Sequence, residues 1–72
     1  MMYKDSAMTP RLIEEIYRLG YSNTELAQAL GCSQTAINQW ITGLTIPYAY
    51  YLAKLHRIGC DVIYILTGER HV

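Results

Sequence analysis

Three residues, Gly31, Cys32 and Ser33, separate two short segments of helical pattern, and this link constrains the fold more than any other feature. The first segment opens with a capping box, because Ser22 and Glu25 stand three residues apart just before an apolar pair. Gly31 can adopt the positive φ that ends a helix, and Ser33 can cap the helix that follows. Two helices joined by so short a link must cross steeply, which is the helix-turn-helix geometry.

The first helix of the chain is predicted to begin at Thr9, as its N-cap, with Pro10 at the first helical position. Gly20 ends this helix in the manner of a C′ glycine. Helical spacing divides its residues into two faces. The face expected to be buried contains Leu12, Ile13, Ile16 and Tyr17, and the face expected in water contains Arg11, Glu14, Glu15 and Arg18.

Further helices follow from similar start and stop signals. The third helix is predicted to run from Gln34 through Ile41 or Thr42 and to be closed by Gly43, and Pro47 is predicted as the first residue of a fourth helix that ends at Gly59. Asp61 caps a short last helix, and no segment has the alternating pattern of a strand. The sequence therefore predicts an all-α, compact five-helix domain with a central helix-turn-helix.

The size of the chain limits it to one domain. A chain of 72 residues buries only about 60% of its unfolded surface, so its stability is expected to be marginal without disulfides, a metal or a partner chain. No apolar run is long enough to span a bilayer and the N-terminus has no hydrophobic signal region, so we expect a cytoplasmic protein without membrane contact. Three regions are expected: an N-terminal arm at 1–8, the helix-turn-helix domain at 9–68 and a C-terminal tail at 69–72.

The outer face of the third helix is polar but uncharged. With Ile37, Trp40 and Ile41 turned inward, the outer side carries polar side chains, which are those of Gln34, Thr35, Asn38, Gln39 and Thr42. Asn and Gln can bond adenine at two atoms, and Thr can contact a thymine methyl group. A face that is merely solvated would usually carry Lys and Glu, yet residues 28–42 contain no charge. This composition favours base recognition in the major groove of double-stranded DNA over a plain solvated surface.

Phosphate contacts are expected at the start of the second and third helices, where backbone N–H groups have no partner within the helix. Ser22 and Asn23 begin the second helix, and Ser33 begins the third. The chain has six basic and six acidic residues, so it lacks the positive charge that is usual in nucleic-acid binders. The hydroxyl groups of Thr42 and Tyr48 and the guanidinium of Arg11 are further candidates for phosphate contacts.

These features together resemble the phage-repressor and Cro-type, or Xre-like, helix-turn-helix family. The resemblance is carried by SNTELAQALGCSQTAINQWITG, by the helix start near Pro47 and by the closing GCDVIYILTGER. It implies a lambda-repressor-like fold and a transcriptional regulator that binds a two-fold operator as a homodimer. It also implies that Asn23 and Gln34 contact DNA at helix ends and that Thr35 and Gln39 reach bases, with Asn38 beside them.

The chain departs from that family pattern at several positions. An Arg–Glu ion pair between helices one and three is common in the family, whereas Ile16 and Ile41 occupy the corresponding positions here. An apolar pair can replace a buried ion pair without loss of stability. No basic residue lies between Arg18 and Lys54, so binding is expected to depend only weakly on salt.

The last helix carries more apolar residues than one small core can bury. We expect a two-fold dimer contact formed by Ile63 and Leu66, together with Leu44 and Ile46 of the loop after the third helix. The alternative is that these residues only close the core.

Two functions are compatible with this pattern. The first is a prophage-type repressor that blocks a promoter by occupying its operator. The second is a protein-interaction module of antitoxin or anti-repressor type, which the neutral charge and the apolar loop favour. We expect no enzymatic activity, cofactor, metal or small-molecule ligand, because no catalytic spacing is found and Cys32 and Cys60 are isolated thiols.

Overall fold

Residues 7–70 are described by a computed structural model, in which short loops join five α-helices. These helices are α1 (Met8–Leu19), α2 (Asn23–Leu30), α3 (Gln34–Thr42), α4 (Ala49–Arg57) and α5 (Val62–Thr67). Over the range 7–70 no residue lies in a strand. The predicted all-α five-helix fold with a central helix-turn-helix is confirmed.

All five helices contribute apolar side chains to one core. The buried apolar residues are Leu12, Ile16, Leu26, Ala27, Leu30, Ile37, Trp40, Leu55, Cys60 and Ile65. α1 packs on α3 and α5, α2 packs on α3 and α4, and α4 packs on α5. Ile37 and Trp40, predicted to turn inward, therefore lie in the core, and they determine which side of α3 faces outward.

The ends of the two central helices have the predicted caps. Ser22 Oγ accepts a hydrogen bond from Glu25 N at 3.1 Å, and Glu25 Oε1 accepts one from Ser22 N at 2.9 Å. Ser33 Oγ accepts a hydrogen bond from Ala36 N at 3.1 Å. Gly31 has a φ of 72°, a left-handed conformation that is strained for residues with a Cβ. These local interactions define the tight turn between α2 and α3.

The start of α1 differs from the prediction. The helix begins at Met8 with Ala7 as its N-cap, so Thr9 lies inside the helix and does not cap it. The side chain of Met8 packs against the core, and this contact extends the helix beyond the Thr-Pro signal. The predicted boundary between the arm and the domain therefore falls within α1. Residues 1–6 of the predicted arm lie outside the described residues.

The faces of α1 also differ from the prediction. Tyr17, predicted to be buried, is 82% exposed, whereas Glu15, predicted to face water, is completely buried. Leu12, Glu15, Ile16 and Leu19 follow the i, i+3, i+4, i+7 spacing of one helical face, and Tyr17 lies off it. The predicted buried face is rotated relative to the observed one, because a carboxylate is usually a surface residue and Glu15 is not.

The predicted start of α4 is wrong by two residues. Pro47 is buried in the preceding loop, and Tyr48 is the N-cap of a helix that begins at Ala49. Asp61 caps α5 as predicted, and that helix continues to Thr67.

The predicted C-terminal tail contains a residue that is bound to the domain. Arg70 Nη1 lies 2.6 Å from Glu15 Oε2, so the chain is anchored to α1 beyond the end of α5. The same carboxylate is bonded to Arg18, on the next turn of α1. Residues 71 and 72 of the predicted tail lie outside the described residues.

Candidate nucleic-acid interface

The recognition face, defined as the outer side of α3, lies opposite the buried Ile37 and Trp40. The predicted members of this face are found together on it: Gln34, Thr35, Asn38 and Thr42 are exposed, and Gln39 is half-buried. Ile41, which the sequence places on the inner side, is half-buried and packs against the core. The surface offered by α3 thus carries amide and hydroxyl groups without a charge.

Two hydrogen bonds orient side chains on the recognition face. Asn23 Nδ2 donates to Asn38 Oδ1 at 3.4 Å, which joins the start of α2 to the middle of α3. Thr42 Oγ1 donates to the backbone oxygen of Asn38 at 2.9 Å. An amide has two N–H donors besides its oxygen, so Asn38 keeps donors for a base edge. These bonds reduce the conformational freedom that binding would otherwise remove.

The N-terminus of α2 lies at the Asn23–Asn38 contact, and α3 begins four residues before Asn38. Ser22 and Ser33 use their oxygens to cap these helices, and each hydroxyl retains its proton as a donor. The first N–H groups of a helix have no partner within it, and the helix dipole places partial positive charge there. Both helix ends can therefore bind phosphate oxygens without a basic side chain.

A groove of about 670 Å³ lies between α3 and the loop that follows it. Ser33, Gln39, Thr45 and Tyr48 contribute polar groups to its walls. Gln39 O accepts a hydrogen bond from Thr45 N at 3.3 Å, so the loop is held against the end of the recognition face. The sequence does not indicate Thr45 as a candidate site residue, because helical periodicity stops at Gly43 and cannot assign faces in a loop.

The four residues predicted to form a dimer contact do not share one groove. Ile63 and Leu66 are 47% and 43% exposed and line an apolar groove of about 640 Å³ between α4 and α5. Ile46 lines the groove beside Gln39 instead, and Leu44 lines neither of these two grooves. The loop and α5 thus form two separate apolar surfaces.

Two basic side chains near the helix-turn-helix, those of Lys54 and Arg11, contact other groups of the chain. Lys54 Nζ lies 5.3 Å from the centre of the Tyr50 ring. Arg11, a predicted phosphate ligand, donates from Nε to Ile65 O at 3.0 Å and so caps the end of α5. Residues 26–53, which include all of α3 and the loop after it, contain no charged side chain, so this surface offers hydrogen bonds and shape rather than ionic side-chain contacts.

The two cysteines are free thiols. Burial raises the pKa of Cys60 to about 11 and also raises the pKa of Cys32, so both remain protonated at neutral pH. Among residues 7–70 no group of three or more His, Cys, Asp or Glu side chains could hold a metal ion. Within that same range no helix is both long and apolar enough to cross a membrane.

Comparison with known proteins agrees with this geometry. The family model HTH_3, described as helix-turn-helix, matches residues 14–58, which is more than half of the chain. No curated protein and no solved structure matches the chain. The matched residues include α2, the turn and all of α3, which are the elements that form the recognition face. The chain therefore belongs to the Xre-like, lambda-repressor-like helix-turn-helix family of DNA-binding transcription regulators.

Proposed function

We propose that this chain is a prophage-type repressor that occupies a two-fold operator as a homodimer, with α3 in the major groove. The observation that carries the proposal is the exposed, uncharged row of amide and hydroxyl side chains on α3. A surface that only needs to be soluble gains more from charged side chains, whereas base edges are read by amide and hydroxyl groups. Occupancy of the operator would itself block transcription.

Within this proposal the recognition face divides into base-reading and phosphate-binding residues. Gln34, Asn38 and Gln39 bond base edges, with adenine as their best partner, and Thr35 contacts a thymine methyl group. The remaining residues position the domain on phosphates, and they are Ser22, Asn23, Ser33 and Thr42. Phosphate contacts fix the register of the protein on DNA but carry no sequence information directly.

The homodimer is proposed to form through α5. Ile63 and Leu66 protrude beside the apolar groove between α4 and α5, so one face offers both a projection and a recess. Such a face can pair with a second copy of itself around a two-fold axis. Leu44 and Ile46 are omitted from this interface because Ile46 lines the groove beside Gln39.

The test is a double substitution, Gln34→Ala with Gln39→Ala, assayed on a duplex that the unaltered chain selects from random DNA. Each lost bidentate contact costs about 1–3 kcal/mol, so the affinity should fall at least about thirtyfold. Gln28→Ala is the matched control, because Gln28 is an exposed glutamine on α2 outside the recognition face. Equal affinities for the double variant and the unaltered chain would contradict base reading by these residues.

A protein-interaction module of antitoxin or anti-repressor type is the second candidate. Leu44, Tyr48 and Tyr50 are 68%, 66% and 57% exposed, and apolar side chains of this size favour contact with a protein. The same double variant separates the two functions. Loss of binding to a protein partner, with the affinity for DNA unchanged, would support this second candidate.

A further inference from the structure

The proposed dimer surface, Ile63 and Leu66 on α5, and the recognition face lie on different helices. Over the described range 7–70, the backbone of α5 packs on α1 and α4 and does not approach that of α2 or α3. α1 packs on both α3 and α5, so it is the element that these two helices share. α1 is therefore the one helix that packs directly on both, whereas the other route between them runs through α4 and α2.

One buried carboxylate fixes α1 to the segments before and after α5. Glu15 Oε1 accepts hydrogen bonds from Arg18 Nη2 and from Asp61 N, both at 2.7 Å. Glu15 Oε2 accepts from Arg18 Nε at 3.1 Å and from Arg70 Nη1 at 2.6 Å. We name these four residues the Glu15 cluster. It holds α1 to the N-cap of α5 on one side and to the residues after α5 on the other.

Arg70 also contacts α5 itself. Its guanidinium lies 3.7 Å from the centre of the Tyr64 ring, and its Nη2 donates to Glu14 Oε2 at 3.2 Å. Tyr64 in turn donates its hydroxyl proton to Glu14. Arg70 thus bridges α1 and α5 next to Ile63, which lies on the proposed dimer surface.

Directional contacts of this kind determine orientation in a way that apolar packing does not. The hydrophobic contribution depends on the area buried and has no preferred direction. Charge-assisted hydrogen bonds from a guanidinium require a defined angle and distance, and those of the Glu15 cluster use all the acceptor oxygens of one carboxylate. The angle between α1 and α5 should therefore depend on this cluster more than on the core.

We infer that Glu15 and Arg70 are positioning residues, which set the dimer surface relative to the recognition face and so select the spacing between operator half-sites. The inference rests on the proposed homodimer and names the residues that set the distance between its two recognition helices. Two recognition helices read successive major grooves only when they lie about 34 Å apart. A small rotation of α5 relative to α1 would therefore change the separation of the two recognition helices.

The experiment measures binding to a series of duplexes with Arg70→Ala, using the half-sites that the unaltered chain selects. The duplexes are one half-site, the selected two-fold site, and two-fold sites with one base pair added or removed. We expect about a tenfold loss on the selected two-fold site, a smaller loss on altered spacings, and half-site affinity within about twofold of the unaltered chain.

Two further variants control for charge and for folding. Glu69→Ala removes a neighbouring charged side chain outside the Glu15 cluster, and it should leave the spacing preference unchanged. Arg70→Lys keeps the positive charge but loses the two-pronged geometry, so it should show part of the same loss. It also tests the inference if the alanine variant does not fold.

The outcomes separate this inference from the function on which it rests. An unaltered chain that is monomeric, or that shows no preference for spacing, overturns the proposed homodimer and the inference with it. If the unaltered chain prefers one spacing and the Arg70 variants keep that preference, the inference fails alone. An equal loss of affinity on half-sites and two-fold sites would mean that Arg70 contributes only to stability, and it would also overturn the inference.

Discussion

Glu15 shows how one residue can oppose the general trend of its type. An ionised carboxylate is seldom buried unless opposite charges and hydrogen bonds compensate for lost hydration. The Glu15 side chain is completely buried, and two arginines and one backbone N–H supply that compensation. The hydrogen bonds from Arg18, with further contributions from Asp61 N and Arg70, lower the pKa of Glu15 from its ordinary value of 4.5 to about 2.

This lowered pKa leads to a dependence of stability on pH. The folded state holds Glu15 ionised, so its contribution is complete above pH 4.5 and is lost as the pH falls towards about 2. In Glu15→Gln the free energy of unfolding should therefore depend less on pH between those values, as measured by denaturant titration.

The control for this titration is Glu69→Gln, which removes an exposed carboxylate outside the Glu15 cluster. This variant should keep the acid dependence of the unaltered chain. If Glu15→Gln instead retains the full loss of stability in acid, other carboxylates are responsible and the proposed linkage is wrong.

At the scale of single helices, the caps serve both folding and the candidate interface. Ser33 Oγ accepts a hydrogen bond from Ala36 N and lies at the edge of the recognition face, so substitution can separate its capping role from its proposed contact with DNA. The cap needs an acceptor oxygen. DNA, in contrast, disfavours any negative charge at that position.

We therefore expect Ser33→Ala to lower stability, and Ser33→Asp to keep stability but lower the affinity for DNA. The alanine variant should lose about 1 kcal/mol of unfolding free energy, because the N-cap acceptor is removed. The aspartate variant should stay within about 0.5 kcal/mol of the unaltered chain yet lose about tenfold in DNA affinity, because a carboxylate then faces phosphates. Thermal unfolding and binding isotherms on the same samples check both values. Unchanged DNA affinity for Ser33→Asp would place this helix end away from DNA.

Local signals predicted the helix-turn-helix correctly, whereas those at Thr9 and Pro47 misplaced the first residues of α1 and α4. Caps and glycines fixed the turn of the helix-turn-helix, and the apolar spacing of α2 and α3 identified their buried sides. The faces of α1 were not predictable in this way. Its residue type places Glu15 on the water-facing side of the predicted helix. Its burial depends on Arg70, 55 residues further along the chain. The recognition face is predictable from the spacing within α3 alone. Thr45 lies beside that face only because of the path of the loop after α3.

At the scale of the whole molecule, the proposed dimer gives a direct test of the α5 surface. Ile63→Asp would bury a charge in an apolar contact, so sedimentation equilibrium should show monomers. Tyr17→Asp is the matched control, because Tyr17 is 82% exposed on α1 and lines neither wall of the α4–α5 groove. A dimeric Ile63→Asp variant would place the interface elsewhere.

The neutral charge of the chain predicts how binding responds to salt. With six basic and six acidic residues, few phosphates can be neutralised by side chains. Each neutralised phosphate contributes a slope of about −0.9 on a log–log plot, so we expect a total of about −2 to −4 per dimer. Binding isotherms over a range of salt concentrations give this slope directly. A value near −10 would indicate an ionic interface that the recognition face does not contain.

The claim that α3 reads bases is tested most directly by selecting bound duplexes from random DNA with the unaltered chain. We expect enrichment of one two-fold sequence, with half-site centres about 10 base pairs apart and adenine–thymine pairs opposite the glutamines. A bound pool with no enriched sequence would contradict the claim, because phosphate contacts alone bind all sequences alike.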